Sequence, residues 1–139
     1  MRLKVKKLSE SAKIPCKAHF DDIGFDVYAD KIEETENLIK VYTGIAVQPE
    51  EGYHVELFPR SSIFKKGLVL HNSIGLVDPG YTGELVFVFK KFDYSEPILK
   101  EERIGQIVVR KSVRTELVVV DVLLDTSRND CGFGSTGIF

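Results

Sequence analysis

Residues 84–92 read ELVFVFKKF, a short run of Val, Leu and Phe with the period of two expected of a half-buried strand. Runs of the same kind recur along the chain: LKVKKL (3–8), GFDVYA (24–29), NLIKVYTGIAVQ (37–48), YHVELF (53–58), GLVLHN (67–72), RIGQIVVRK (103–111) and ELVVVDVLL (116–124). Between them PEEGY (49–53), DPGYTG (78–83) and SEP (95–97) supply turn residues, at the roughly 8- to 12-residue spacing of sandwiches and barrels. No segment keeps a helical period over several turns, although RSSIFKKG (60–67) offers one short turn. The chain reads as all-β. Periodicity alone leaves a jelly roll, an immunoglobulin-like sandwich and a closed barrel open, because all three repeat short strands and tight turns. After Asp125 the strand pattern stops, which divides the chain into a body, residues 1–125, and a flexible glycine-rich C-terminal arm, residues 126–139.

A chain of 139 residues fits one domain, able to bury about two thirds of its unfolded surface. Its formal charge of -2 advertises no basic surface for a nucleic-acid polymer or an anionic membrane. An anionic ligand must therefore be met by locally gathered cations. No apolar run approaches the roughly 20 residues of a spanning helix, and MRLKVKKLSE (1–10) lacks the apolar stretch of a signal peptide. A cytoplasmic location is expected, that of the host if the source is viral. Cys16 and Cys131 lie far apart, without metal-ligand spacing, and no disulfide is expected of them.

Several stretches carry groups that could do chemistry. In NSIGLVDPGYTGEL (72–85), Pro79-Gly80 suits the centre of a type II turn and so predicts a hairpin with Asp78 at its rim. By itself that is also how an ordinary aspartate opens a turn. In PRSSIFKKGL (59–68), Arg60, Ser61 and Ser62 offer the guanidinium and hydroxyl donors that phosphate oxygens reward, or else form a solvated basic turn. Asp26 in GFDVYA either faces solvent or holds a hydrated cation, and Gln106 in RIGQIVV, if buried, must find hydrogen bonds. The final RNDCGFGSTGIF (128–139) is either a slack tail or a device for bringing backbone N–H groups close to a ligand.

Taken in order, GFDVYA, PRSSIFKKG, GLVDPGYTGE, RIGQIVV and RNDCGFGSTG resemble the five ordered motifs of the homotrimeric deoxyuridine triphosphate nucleotidohydrolases, the dUTPases. The resemblance runs from Gly24 to Gly137. It implies a jelly-roll-like β-barrel subunit, a homotrimer with active sites shared between chains, and hydrolysis of dUTP to dUMP and pyrophosphate assisted by Mg²⁺. In such a site Asp78 is the general base, and Asn72, Gly75, Val77 and Tyr81 hold the base and sugar. Arg60, Ser61, Ser62, Gln106, Arg128, Gly134, Ser135 and Thr136 surround the phosphates, Phe133 stacks over the base, and Asp26 reaches the metal through water.

The sequence departs from that pattern in two places. Pro79-Gly80 follows Asp78, as in the related dCTP deaminases, which share the arginine and serine stretch but use a glutamate on the strand after the hairpin. That position here is Val88, which cannot shuttle protons, and their second arginine falls on Lys65. The alternatives to dUTP hydrolysis are therefore a dCTP deaminase, a bifunctional deaminase and dUTPase, or a dUTP-responsive regulatory protein. In the fifth motif Asn129 and Cys131 stand where the family has glycines, with Asp130 between them, which is expected to stiffen the start of the arm.

Overall fold

Phe87 and Phe89 are buried while Val86 and Val88 are half-buried, the alternation a strand shows when one face meets a core. The computed structural model describes all 139 residues. Its strands are β1 (Lys4–Lys7), β2 (Phe25–Tyr28), β3 (Lys31–Glu34), β4 (Leu38–Tyr42), β5 (Ile45–Gln48), β6 (Tyr53–Pro59), β7 (Leu68–Leu70), β8 (Gly75–Val77), β9 (Val86–Lys91) and β10 (Arg103–Lys111). The only helical element is a 3₁₀ turn, Ile63–Lys66, closed by Gly67 at φ 64°. No helix is long and apolar enough to cross a membrane.

The strands form a small sheet, β1-β5, and two four-stranded sheets, β2-β10-β6-β8 and β3-β4-β9-β7, with every pairing antiparallel. The inner faces of the larger sheets merge into one apolar cluster. Ile39, Val41, Phe87 and Phe89 come from one sheet and Val27, Val55, Leu57 and Ile107 from the other. Each such side chain contributes roughly 1.5–3 kcal/mol by leaving water. The sheets meet closely at Gly105, where a Cβ would lie 2.5 Å from Phe87 Cε1 and 2.6 Å from the Phe58 carbonyl oxygen. A register shift between Arg103 and Gly105 against β2 turns both Ile104 and Gly105 inward. This architecture is the all-β, jelly-roll-like fold expected.

Three local expectations are corrected. The turn after Asp78 does form, with the Tyr81 N–H donating to the Asp78 carbonyl at 2.9 Å, but Gly80 does not take positive φ, so it is not type II. Its arms also diverge, β8 pairing with β6 in one sheet and β9 with β4 and β7 in the other. Finally, residues 116–124 form no strand within the chain. Beyond Lys111 the Ser112 N–H bonds to the Gly52 carbonyl at 2.7 Å, and then Val113, Leu117, Val118, Val119, Val122, Leu123 and Leu124 are exposed. Strand propensity there meets no sheet edge of its own chain.

Candidate active site

Around β8 the chain builds a cavity of ≈ 260 Å³. As the last strand of its sheet, β8 bonds to β6 on one side only, so its other edge keeps backbone donors and acceptors free. Ser73, at φ 63°, and the Ile74 N–H bonded to the Asn72 carbonyl at 2.7 Å turn the chain sharply into β8. Gly75 lies against Leu57, whose Cβ would be 2.9 Å from a Cβ added there. Asn72, Gly75, Val77, Asp78 and Tyr81 all line this cavity, together with Leu57, Glu84, Leu85 and Val86. Asp78 uses its backbone carbonyl in the turn, and its carboxylate makes no hydrogen bond or ion pair within the chain.

A second groove of ≈ 440 Å³ lies on the outer face of β6 and β10 and is lined by Arg60, Ser61, Gln106 and Arg110 with Ile23, Phe58, Pro59 and Val108. Arg60 follows the end of β6, and its carbonyl accepts the Ile63 N–H at 3.0 Å. Ser62 sits at the N-cap position of the 3₁₀ turn with its hydroxyl unbonded there, and it lines neither hollow. Gln106 is paired across β10 with Asp26 on one side and Phe58 on the other. Its side chain crosses Gly24, where any Cβ would collide with the amide oxygen. Asp26 is paired with Arg103, whose guanidinium donates to Oδ2 at 3.1 Å. The two hollows share no lining residue.

The family model described as dUTPase matches residues 10–137. The chain belongs to the dUTPase family. A deoxyuridine 5'-triphosphate nucleotidohydrolase from Nautilia profundicola is 39% identical over 141 residues, spanning 99% of each chain. One from a Hydrogenobaculum species is 38% identical over 144 residues, with 99% of each covered. Among solved structures, the Staphylococcus bacteriophage 80alpha dUTPase with dUPNHPP superposes with a TM-score of 0.83 at 29% identity, covering 99% of both chains. A mutant dUTPase from phage phi11 of S. aureus, described as coordinating a structural Mg(II) ion, gives 0.74 at 25% identity over 90% of this chain and 100% of that one.

Two of the dUTPase motifs line neither of the hollows: the first, which carries Asp26, and the fifth. None of Arg128, Phe133, Gly134, Ser135 or Thr136 lines them, and Phe133 is fully exposed at φ 50°. The start of the arm is braced, however. The Thr126 N–H donates to Asn129 Oδ1 at 2.8 Å, and the Asn129 N–H donates back to Thr126 Oγ1 at 3.0 Å. Asn129 takes φ 43°, a conformation that asparagine tolerates better than most residues. Arg128 Nε donates to the Cys131 carbonyl at 2.9 Å.

Sequence reading missed the Arg103 partner of Asp26, because the register shift that brings them together leaves no mark in the sequence. It also missed Glu56 on the groove's sheet face. His54 Nε2 meets Glu56 Oε1 at 3.0 Å and Arg110 Nε donates to Oε2 at 2.6 Å. The His54 hydrogen bond, with that from Arg110, holds the Glu56 carboxyl below its ordinary 4.5 despite the opposing effect of burial. A depressed folded value stabilises the fold above the unfolded pKa, and that contribution is lost as pH falls through the folded one. Glu56→Gln should therefore lower Tm at neutral pH, by an amount that shrinks as pH drops from 4.5 toward the depressed value. Thermal unfolding across that range checks this, and a constant difference would assign the effect to packing instead.

Proposed function

We propose that this chain hydrolyses dUTP to dUMP and pyrophosphate by attack of water at the α-phosphorus. The observation that carries this reading is the β8 cavity, where an unengaged carboxylate, Asp78, stands beside a free strand edge, Asn72 and Tyr81. Water is a poor nucleophile at neutral pH, and a positioned carboxylate within hydrogen-bond reach accepts its proton as it attacks. The edge of β8 and the Asn72 amide offer the backbone and side-chain partners that uracil requires. Cytosine would leave those groups unpaired, a costly mismatch in a buried site. Thymine is rejected by clash of its methyl with a rigid wall, since a methyl alone is worth only roughly 1–3 kcal/mol. Tyr81 packs against the deoxyribose.

Charge growing on the phosphoryl oxygens is met by Arg60, Ser61, Ser62 and Gln106, and from the arm by Arg128, Gly134, Ser135 and Thr136. Phe133 stacks over the base. No group of three or more His, Cys, Asp or Glu forms a cage for a metal. With Oδ2 of Asp26 taken by the Arg103 guanidinium and Oδ1 unpaired, the carboxylate suits a water of Mg²⁺, an ion that keeps several waters and binds chiefly through substrate phosphates. Mg²⁺ would supply local positive charge to the triphosphate, with Asp26 holding one of its waters.

The site is incomplete in one chain, because the two hollows are separate and the arm reaches neither. Together with the bare apolar residues between Val113 and Leu124, this supports a homotrimer in which one subunit's β8 cavity faces another's groove and a third supplies the arm. Residues 1–125 then act as the body and 126–139 as the closing segment. A free nucleotide as substrate suits a cytoplasmic setting, that of the host for a viral protein. Supplying dUTP, dCTP and dTTP with Mg²⁺ while measuring pyrophosphate and ammonia tests the reading. Pyrophosphate from dUTP alone is expected. Ammonia from dCTP with no pyrophosphate from dUTP would overturn it.

A further inference from the structure

Tyr81 is held by its own loop from several directions. Its N–H donates to the Asp78 carbonyl at 2.9 Å, and its hydroxyl donates to the Glu84 carbonyl at 2.9 Å. Its ring crosses Gly83, where a Cβ would fall 2.6 Å from both Cζ and the hydroxyl oxygen and 3.0 Å from Cε2. Cβ atoms essentially never approach below 3.0 Å, and the atoms met here belong to a rigid ring.

The residues that follow Gly83 are pinned to the body. Glu84 Oε1 accepts the Gly44 N–H at 2.7 Å. Thr43 Oγ1 donates to the Leu85 carbonyl at 2.7 Å, and the Leu85 N–H donates to the Ile45 carbonyl at 2.9 Å. Thr43 and Leu85 are each 1% exposed. Residues 84–85 are thus stitched to the buried turn between β4 and β5. Tyr81 itself remains 48% exposed and lines the cavity with Asn72 and Asp78.

We infer that Gly83 is a specificity-determining positioning residue: its missing side chain sets the depth of the Tyr81 ring, and so whether a sugar 2′-hydroxyl fits in the cavity. This rests on reading the β8 cavity as the nucleoside site. A methyl at position 83 displaces the ring and strains or breaks its bond to the Glu84 carbonyl, because residues 84–85 are pinned and the half-exposed ring is the part free to move. Gly83 does not take positive φ, so alanine brings no backbone strain there.

The test compares kcat and KM for dUTP and UTP in the wild type, Gly83→Ala, Tyr81→Ala and the double variant. Misplacing a binding group by about an ångström costs up to about 10². Gly83→Ala should raise KM for dUTP by about 10-fold or more and narrow the preference over UTP by a similar factor, since UTP has less fit to lose. General damage would lower both substrates together and leave that ratio unchanged. In the Tyr81→Ala background, adding Gly83→Ala should change the ratio no further. If Gly83→Ala does not fold, the double variant should recover folding, and failure of both overturns the inference. An unchanged ratio in folded Gly83→Ala also overturns it, with the cavity reading intact. A wild type indifferent to the 2′-hydroxyl overturns both.

Discussion

Asp78→Asn is expected to cut turnover on dUTP by about 10² or more while leaving dUTP binding largely intact. The amide has the shape of the carboxylate but cannot take a proton from water. The turn does not depend on the side chain, because it is the Asp78 backbone carbonyl that accepts the Tyr81 N–H. The cavity walls at Asn72, Gly75 and Tyr81 therefore keep their places. Single-turnover rates, with binding of a non-hydrolysable imido analogue of dUTP, separate the chemical step from binding. Unchanged turnover would remove Asp78 from the role of base, and a parallel loss of binding and rate would make it a binding group instead.

Ending the chain after Asp125 should abolish most activity, by about 10² or more, and leave the body folded. All hydrogen bonds found for residues 126–139 stay inside that segment, such as Cys131 N–H to the Arg128 carbonyl, Ser135 N–H to the Gly132 carbonyl and Gly137 N–H to the Gly134 carbonyl. Deleting them takes no partner from the body. What is lost is the Arg128 cation, the glycine-flanked donors and the Phe133 ring, so the loss should appear in catalysis with Tm and oligomeric size unchanged. Unfolding of the shortened chain would show that the arm supports the body, and full activity would leave the arm without a part in the reaction.

Much of this was legible in the sequence because strand alternation is local. Phe87 and Phe89 announced the core, and the stretch around Asp78 announced a turn carrying a carboxylate. What failed depended on partners distant in sequence. The ELVVVDVLL run has the side chains of a strand, but pairing needs an edge that its own chain does not offer it. The opposite error occurred at β3, KIEE, whose charges hide a strand that pairs only with β4. Proline followed by glycine permits a type II turn without requiring one, and here the separation of β8 and β9 into different sheets sets the path. The Asp26–Arg103 pair and the Tyr81–Gly83 contact are products of register and close approach, for which residue type carries no signal.

The bare stretch after β10 has a consequence for the newly made chain. Residues 117–120, LVVV, combine high strand propensity with no charge, the composition that stacks into cross-β fibrils when left uncovered. Glu116 and Asp121 bracket that run. In the homotrimer proposed above, the two carboxylates act as gatekeepers for a chain not yet docked: like charges repeated at every layer of a growing stack repel, while a single docking event pays no such penalty.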